Sequence, residues 1–507
     1  MKGIVEITNL SFFYPNNKKI LDSINLSINE SDFVFIMGPS PSGKSTLVYC
    51  ISGLIPNCIE GRMLGRVRVD GLDTREHTIA ELSRHVGVVF QDPEAQLLEL
   101  RVIDEVALPL ENLGIPREEI KCRVEEVLEI VGLKGYEERS PMELSGGEKQ
   151  KLAIASVLAL RPKVIVLDEP TANVDIVGTT QVYETLRELN EEHNLTVIVV
   201  ENKVDLAFKY GNKAILMKNG QIIANGEPNS VLNSELLSDL ELDPRPVKPL
   251  NIPSRVHDNC NYHELIRFEN VSYVYPDGTL ALENINLTIR EGERVFLMGE
   301  NGSGKSTLVK HMNGLLKPTK GKVLVNGHDT RKWPTYKLSR IVGLVFQNPA
   351  HQIVGDSVYE EIAMGLKSQG LKEDKVREEV IKVAEVFGLK DKLDMIPEEL
   401  SIGELKRLMV ASIVAMKPKV IVLDEPMTGM TRAHSRRVLN SILKIIGNNA
   451  TMVAITHDPQ LALEYATRVI IMSKGRIVTE GSPEVLGKYP LFSSYLENME
   501  VMYNVQT

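Results

Sequence analysis

The stretch Gly299-Glu300-Asn301-Gly302-Ser303-Gly304-Lys305-Ser306-Thr307 determines how the rest of the chain is interpreted. It follows an apolar run, residues 294–298, that is typical of a buried strand, and it precedes residues 308–316, which we expect to be the first turns of a helix. A glycine-rich turn between strand and helix is the context of a phosphate-binding P-loop, although a purely structural turn is the alternative. Glycines let backbone N–H groups close around phosphate oxygens, and the helix N-terminus adds positive partial charge. The stretch therefore predicts a nucleotide site, with Lys305 on the outer phosphates and Ser306 on magnesium.

The overall composition restricts the class of protein. At 507 residues the chain is too long for one ordinary core, so two or more domains are expected. An apolar fraction of 43% and a charged fraction of 25% are typical of a soluble globular protein. The net charge of −10 provides no basic footprint for nucleic acid. No apolar run approaches the ~20 residues that span a bilayer, and the N-terminus lacks a signal-peptide segment. We expect no nucleic-acid partner, and any membrane role to depend on another chain.

The four cysteines are scattered along the sequence at Cys50, Cys58, Cys122 and Cys260. None forms a CxxC pair, which argues against a zinc site, an iron–sulfur cluster or a disulfide framework. This cysteine usage is typical of a reducing cytoplasm.

The chain contains one unit twice. Residues 38–46 recur as residues 299–307 at a lag of 261 (299 − 38), and residues 164–170 recur as residues 420–426 at a lag of 256 (420 − 164). The difference puts five extra residues in the first copy, around residues 56–64. The expected domains are residues 1–242, a proline-rich linker at residues 243–263, and residues 264–507.

Each copy predicts an α/β domain, so that the chain would hold two P-loop NTPase domains in tandem. An N-terminal part with strand-like alternation comes first, at residues 3–10 and 265–271. A helical subdomain follows the P-loop, at residues 94–143 and 350–399. Strands that alternate with helices around a P-loop imply a mainly parallel sheet covered on both faces, with the N-terminal part antiparallel.

Two buried strands end in paired carboxylates, Asp168-Glu169 and Asp424-Glu425. The first carboxylate of each pair suits magnesium coordination, directly or through water. The second suits orienting or deprotonating an attacking water. Because the pairs follow P-loops, they predict hydrolysis of the bound nucleotide.

The ordered set of motifs resembles the ATP-binding cassette (ABC) ATPases, over nearly the whole chain and twice. The discriminating motif is the signature Leu144-Ser145-Gly146-Gly147-Glu148, which other P-loop enzymes lack. The resemblance implies that both copies bind ATP and Mg2+. It also implies tyrosines that stack on adenine, glutamines that contact magnesium and sense the γ-phosphate, and a switch histidine, His457.

The resemblance implies a specific set of residues for each role. The nucleotide-binding residues are Tyr14, Gly38, Pro39, Ser40, Pro41, Ser42, Gly43, Lys44, Ser45, Thr46, Ser145, Gly146 and Gly147 in the first copy. In the second copy they are Tyr275, Gly299, Glu300, Asn301, Gly302, Ser303, Gly304, Lys305, Ser306, Thr307, Ser401 and Gly403. The metal residues are Ser45, Gln91, Asp168, Ser306, Gln347 and Asp424, and the catalytic residues are Glu169, Gln347, Glu425 and His457.

ABC ATPases work as head-to-tail pairs, in which the P-loop of one domain and the signature of the other enclose each ATP. If the two halves pair in this way, the second P-loop and the first signature form a complete site, which includes Asp175 of the crossing loop 171–175. The other composite site collects four departures: Pro41 in the P-loop, Asn202 for the histidine, Ile402 for a signature glycine and Thr431 for the crossing aspartate. We therefore expect one hydrolytic site and one that mainly holds ATP, with slow turnover left open because Glu169 is retained.

Within the family, the segments after Gln91 and Gln347, together with residues 53–56 and 111–115, look like the ATPases of energy-coupling-factor (ECF) importers. Those importers take up vitamins or transition-metal ions. The resemblance implies integral membrane partners, a coupling subunit and a substrate-binding subunit, and a peripheral location on the cytoplasmic face of the cell membrane.

Acidic residues after the glutamine pair with arginines of the coupling helices in that family. Glu94 and Glu99 are the matching candidates, whereas the second copy has Ala350 and Gly355 there, with Asp356 nearby. The alternative for the first copy is a solvated acidic helix start stabilised by the helix dipole.

Other uses of the ATP stay open. The tandem ATPase of a sugar importer has the same architecture and differs in its partner. Soluble tandem ABC proteins that act on ribosomes are disfavoured by the acidic net charge and by the missing cysteine-rich region, charged linker or basic tail. DNA-repair relatives carry long insertions between P-loop and signature, for which residues 44–145 leave no room.

Overall fold

The computed structural model describes residues 3–39, 41–172, 174–240, 242, 263–447 and 450–483. They divide into two compact units, one holding the described residues up to 242 and the other those from 263 to 483. Of the predicted linker, only His263 lies within the described residues. The exact domain boundaries remain predictions.

The first unit contains the first ten strands of the chain. They are β1 (Val5–Phe13), β2 (Lys19–Ile28), β3 (Phe33–Met37), β4 (Arg62–Val69), β5 (Leu72–Asp73), β6 (Val86–Val89), β7 (Val164–Asp168), β8 (Thr196–Val200), β9 (Lys213–Lys218) and β10 (Gln221–Gly226). The helices are α1 (Lys44–Ile51), α2 (Leu54–Asn57), α3 (Ile79–Leu82), α4 (Pro93–Gln96), α5 (Val102–Asn112), α6 (Arg117–Ile130), α7 (Gly146–Leu158), α8 (Ile176–His193), α9 (Val204–Tyr210), α10 (Pro228–Val231) and α11 (Ser234–Asp239). A 3₁₀ turn spans Pro141–Glu143.

The second unit repeats this order. Its strands are β11 (Glu264–Val274), β12 (Leu280–Arg290), β13 (Arg294–Gly299), β14 (Lys320–Val325), β15 (His328–Asp329), β16 (Val342–Val345), β17 (Val420–Asp424), β18 (Thr451–Ile455), β19 (Arg468–Ser473) and β20 (Arg476–Gly481). Its helices are α12 (Lys305–Met312), α13 (Thr335–Leu338), α14 (Val358–Ser368), α15 (Glu373–Phe387), α16 (Ile402–Ala415), α17 (Arg432–Ile446) and α18 (Pro459–Tyr465). The 3₁₀ turns are Pro349–His351, Lys390–Lys392 and Pro397–Glu399.

Each unit contains two sheets with the same topology. A six-stranded sheet has the order β10-β9-β3-β8-β7-β6 in the first unit and β20-β19-β13-β18-β17-β16 in the second. Every neighbouring pair is parallel except the terminal pairs β9–β10 and β19–β20. A four-stranded antiparallel sheet, β2-β1-β4-β5 or β12-β11-β14-β15, completes each unit. The predicted mainly parallel core and antiparallel N-terminal part are thus confirmed.

The central strands are buried on both faces, as their unbroken apolar sequences predict. Every residue of β3, β7 and β8 is buried, and the same holds for β13, β17 and β18. Parallel strands align their carboxyl ends along one edge of the sheet, where ligands bind in open α/β folds. The P-loops, the paired carboxylates and the switch positions all follow such ends.

Two details differ from the sequence-based expectations. The helix after the second P-loop ends at Met312 rather than continuing to residue 316, because Gly314 adopts a left-handed conformation with φ of +75°. The first strands run to Phe13 and Val274, beyond residues 10 and 271, through local register shifts against β2 and β12. The short helix α2 follows Gly53 and overlaps the start of residues 56–64, around which the first copy has its extra residues.

Candidate nucleotide sites and family membership

The second P-loop joins β13 to α12. Gly302 and Gly304 have φ of +75° and +97°, a region that side chains with a Cβ rarely adopt. Lys305 begins the helix, and its Nζ donates to the carbonyl oxygens of Gly299 at 2.9 Å and Glu300 at 2.8 Å. The lysine is therefore folded over the loop that would receive the phosphates.

A hydroxyl and a carboxylate meet beside this loop. Ser306 Oγ donates to Asp424 Oδ1 at 2.9 Å. Burial raises the pKa of Asp424, and the hydrogen bond from Ser306 offsets part of this increase. The surroundings therefore stabilise the negative charge of Asp424 only in part. Two hard oxygen ligands at a buried anionic position fit the preferences of Mg2+. Among the described residues, no group of three or more His, Cys, Asp or Glu side chains could hold a metal by itself.

Glu425 follows β17 in a left-handed conformation with φ of +51°. Such backbone strain concentrates at functional positions because it aims a side chain where a regular strand would not. His457 Nε2 lies 2.9 Å from Glu425 Oε1, although it makes no hydrogen bond of regular geometry. Burial raises the pKa of Glu425, but His457 and Lys305 outweigh it, so that the net shift is downward. Glu425 is therefore held as a carboxylate.

The first P-loop retains the lysine but not the loop geometry. Lys44 Nζ donates to Gly38 O at 2.7 Å and Pro39 O at 3.2 Å, as its counterpart does. Pro41 occupies the position at which Gly302 has φ of +75°. Proline holds φ near −65°, so the two loops cannot share this conformation. Ser40 lies outside the described residues.

The carboxylates of the first unit have a different environment. Glu169 repeats the left-handed conformation, with φ of +47°, and accepts a hydrogen bond from Gln91 Nε2 at 2.8 Å. Burial, followed by the negative charge of Glu201, raises the pKa of Glu169 to about 7. Burial also raises the pKa of Asp168, partly offset by a hydrogen bond from Ser45.

Sheet register places Asn202 at the position of the switch histidine. Asp168 pairs with Val200 across β7 and β8, and Asp424 pairs with Ile455 across β17 and β18. The residue two beyond is Asn202 in one unit and His457 in the other. Asn202 Oδ1 accepts a hydrogen bond from the backbone N–H of Gly38 at 3.1 Å. The side chain at this position thus contacts the P-loop in the first unit and Glu425 in the second.

Both predicted adenine-stacking tyrosines lie beside a P-loop helix. The hydroxyl of Tyr275 lies 3.0 Å from Thr307 Oγ1, and that of Tyr14 lies 3.4 Å from Thr46 Oγ1. The two predicted glutamines have different surroundings, because Gln347 is exposed whereas Gln91 donates a hydrogen bond to Glu169.

Each signature serine begins a helix. Ser145 accepts from the Glu148 N–H at 3.3 Å, and its own N–H donates to the Glu148 carboxylate at 2.8 Å, which forms a capping box. Ser401 and Glu404 repeat the box at the start of α16. These contacts explain both residues without a ligand. Ile402, at the first position of α16, is 64% exposed.

The crossing-loop residues also cap helices. Asp175 Oδ1 accepts from the Gly178 N–H at 2.8 Å at the start of α8. Thr431 Oγ1 accepts from the His434 N–H at 3.4 Å at the start of α17. Aspartate and threonine both serve as N-caps, so this departure keeps the fold while removing a carboxylate.

Of the proposed docking residues, Glu94 is 59% exposed and forms an ion pair with Lys149 of α7. The Glu99 N–H donates to the carboxylate of Glu105 at 2.8 Å. Leu98 and Leu100, beside them, are 74% and 83% exposed. In the part of the chain that the structure describes, no helix is both long and apolar enough to cross a bilayer.

Sequence reasoning missed a polar group next to the first site. Glu201 and Thr171 are almost fully buried, and Thr171 Oγ1 donates to Glu201 Oε2 at 2.8 Å. The sequence contains a signal for this buried polar group, because a glutamate, Glu201, directly follows the apolar residues of a strand where the second copy has Thr456.

A mainly parallel sheet with a P-loop and, at the same edge, an Asp-Glu pair defines each unit as a P-loop NTPase domain. The family described as ABC transporter matches residues 21–172 and 282–428. The chain belongs to this family, with two ATP-binding ATPase domains in tandem.

Relatives match over nearly the full length. A protein of Caldanaerobacter subterraneus subsp. tengcongensis, provisionally named an ABC transporter ATP-binding protein, is 40% identical over 94% of this chain and 90% of its own length. One from Methanosarcina acetivorans with the same provisional name is 37% identical over 95% and 88%. The structure of cbiO1 from Clostridium perfringens, described as part of the ABC transporter complex cbiONQ, is 30% identical and covers 47% of this chain and 93% of its own, with a TM-score of 0.43.

Proposed function

We propose that this chain is the energy-coupling ATPase of an ECF-type importer of a vitamin or transition-metal ion, with one hydrolytic site at the second P-loop. The observation that carries the site assignment is the 2.9 Å approach of His457 to Glu425, which has no counterpart in the first unit. The importer class is supported by the segments after Gln91 and Gln347. The relatives named as ABC transporter ATP-binding proteins agree with a role in transport.

At the second P-loop, Glu425 is the group that accepts a proton from the attacking water. Its lowered pKa keeps it ionised at neutral pH. The water oxygen forms a bond to the γ-phosphorus while the bond to the β,γ-bridging oxygen breaks, which releases ADP and phosphate. His457 lies beside the carboxylate, where an imidazole N–H can donate to a γ-phosphate oxygen. Positioning and electrostatic stabilisation supply most of the rate enhancement in such reactions.

Ser306 and Asp424 would hold Mg2+, which when bound neutralises charge on the β- and γ-phosphates. Lys305 donates to the same phosphates in place of the loop carbonyls that it contacts at 2.8 and 2.9 Å. Ser45 and Asp168 fulfil these roles in the first unit, so ATP and Mg2+ binding is proposed at both P-loops.

The first P-loop is proposed to hold ATP rather than hydrolyse it. Pro41 lacks a backbone N–H for the phosphates. The side-chain oxygen of Asn202 already accepts a hydrogen bond from the Gly38 N–H. Burial and the negative charge of Glu201 raise the pKa of Glu169 to about 7, so its carboxyl group is less readily ionised at neutral pH than that of Glu425.

Head-to-tail pairing of the two domains, within one chain or between chains, completes both sites in this proposal. Ser145 and Gly146 at the N-terminus of α7 would then serve the second P-loop, since a helix start binds anions. At the first P-loop, the side chain of Ile402 would crowd the approach of the signature helix to the phosphates. Closing on ATP and reopening after hydrolysis would move the membrane subunits.

Docking of a membrane subunit is assigned to the surface that contains Glu94, Leu98 and Leu100 of the first unit. Its acidic and exposed apolar side chains suit a basic, amphipathic coupling helix. A sugar importer would use the same surface with a different membrane protein, so the cargo depends on the partner.

Two experiments test the proposal. The ATPase rates of Glu425→Gln and Glu169→Gln are compared in the full chain, and Glu425→Gln is expected to be the more damaging; the reverse order would refute the site assignment. Affinity purification from membranes should recover integral membrane proteins, and loss of that recovery in Glu94→Arg would support docking. Recovery of ribosomes without membrane proteins would overturn the importer role.

A further inference from the structure

The turn after β8, residues 201–203, makes contacts with two other segments of the first unit that nothing in the family motifs assigns. Asn202 Oδ1 accepts from the Gly38 N–H of the P-loop at 3.1 Å. Glu201 Oε2 accepts from the Thr171 hydroxyl at 2.8 Å. Lys203 Nζ donates to the Thr171 carbonyl and hydroxyl oxygens at 3.1 and 3.0 Å. One turn therefore ties the first P-loop to the start of the crossing loop 171–175.

These contacts are strong because the groups are buried. Thr171 is 1% exposed and Glu201 is 6% exposed. The backbone N–H of Asn202 donates to Glu201 Oε1 at 2.9 Å. Both oxygens of the Glu201 carboxylate therefore accept a hydrogen bond, one from Asn202 and one from Thr171. Breaking a hydrogen bond between buried groups leaves an unsatisfied polar atom, so we expect movement at Gly38 to be resisted at Thr171.

The second unit uses the same turn differently. Met427, Thr456 and Asp458 occupy the positions of Thr171, Glu201 and Lys203. Asp458 accepts from Arg432 Nε at 2.9 Å, at the start of α17, and His457 contacts Glu425. In the second unit the turn thus joins Glu425 to the start of α17, whereas in the first unit it joins the P-loop to Thr171.

We propose that Glu201, Asn202 and Lys203 are positioning residues that couple nucleotide binding at the first P-loop to the placement of loop 171–175, and through it to hydrolysis at the second P-loop. The inference rests on the proposed head-to-tail pairing, in which this loop faces the second P-loop. Phosphates that draw N–H groups of the first loop inward shift Gly38, and the 201–203 turn carries the shift to Thr171. ATP held at the first site then aligns the crossing loop at the second.

A double-mutant cycle on the full chain tests the coupling. Its members are the unaltered chain, Lys44→Ala, which removes the phosphate contact of the first P-loop, Thr171→Val, and both together. Thr171→Val is nearly isosteric and removes the hydroxyl of the link. We expect it to lower ATP turnover about fivefold or more when Lys44 is present and less than about twofold when it is absent, in keeping with typical coupling between sites.

Controls separate coupling from a structural role. Thr74→Val removes another fully buried hydroxyl of the first unit, outside the link, and should leave turnover unchanged. Lys203→Met is the second test of the link and should reproduce the dependence on Lys44 if Thr171→Val fails to fold. Thr171→Ser keeps the hydroxyl and should restore turnover.

The outcomes distinguish this inference from the proposed function. If Lys44→Ala leaves turnover unchanged, the first site does not support the second and the coupling is refuted, while the assignment of hydrolysis to the second P-loop stands. If Lys44→Ala lowers turnover but Thr171→Val costs the same factor in both backgrounds, only the link is refuted. If Lys44→Ala abolishes turnover, the same four variants are compared in a Glu425→Gln background. The quantity measured is then the affinity of the second P-loop for a fluorescent ATP analogue, and Thr171→Val should again have a larger effect when Lys44 is present.

Discussion

His457 Nε2 lies 2.9 Å from Glu425 Oε1, and Asn202, at the same sheet position in the first unit, instead accepts a hydrogen bond from the Gly38 N–H. His457→Asn therefore converts the second site to the first site's residue. We expect the ATPase rate to fall about 10²-fold or more, the scale of losing one stabilising contact in the transition state. ATP affinity should change little, which equilibrium binding checks. An unchanged rate would show that the histidine is not part of the hydrolytic site.

The two catalytic-position glutamates should give different pH profiles. Burial and Glu201 raise the pKa of Glu169 to about 7, whereas His457 and Lys305 hold the pKa of Glu425 below its ordinary value against burial. A carboxylate accepts a proton only when ionised. The residual rate of Glu425→Gln should therefore rise as pH increases through about 7, and that of Glu169→Gln should not show this step. Steady-state ATPase assays between pH 6 and about 8.5 make the comparison, and matching profiles would contradict it.

Restoring glycines should repair the first site in part. Pro41→Gly returns the residue type that has φ of +75° in the second loop, and Ile402→Gly removes a side chain that is 64% exposed. In a Glu425→Gln background we expect the combination to raise the residual rate about tenfold, or about 1.4 kcal/mol of transition-state stabilisation.

The control for this gain is Ile396→Gly, which removes another exposed apolar side chain, 52% exposed, shortly before the same signature helix. It should leave the residual rate unchanged. An equal gain in the control would attribute the effect to a general loosening of the helix rather than to the phosphate approach.

Asp175 combines a structural and a proposed functional role that substitutions can separate. Asp175→Ala removes the N-cap of α8 and should lower the free energy of unfolding by about 1 kcal/mol, whereas Asp175→Asn keeps a capping oxygen and should cost only a few tenths. Denaturant unfolding measures this. If the carboxylate also serves the second P-loop, both variants should lose ATPase activity. Full activity in Asp175→Asn would leave capping as its role.

Much of the fold follows from local patterns. Strands such as β7 and β17 are uniformly apolar and end in two carboxylates, so their burial and their place in a parallel sheet were predictable. Boundaries were less so: the end of α12 depended on Gly314, whose left-handed conformation is one of several available to a glycine.

The residues of the candidate site could be named from the sequence, but their contacts could not. The sequence places Asn202 at the position that is equivalent to His457, yet nothing in it indicates that the asparagine accepts a hydrogen bond from Gly38. Likewise Glu201 and Thr171 are distant in the chain, and their hydrogen bond exists because β7 and β8 are neighbours in the sheet.

The sequence by itself determined the P-loop at Gly299–Thr307, its twin with Pro41, the duplication and the family, because these depend on residue types at fixed spacing. The tertiary structure decided the partners of each side chain. It placed Glu425 beside His457 and Glu169 beside Gln91. Burial raises the pKa of both glutamates, but His457 and Lys305 make the net shift of Glu425 downward, whereas the charge of Glu201 adds to the upward shift of Glu169. Electrostatic environment depends on distances across the sheet, which no local pattern contains.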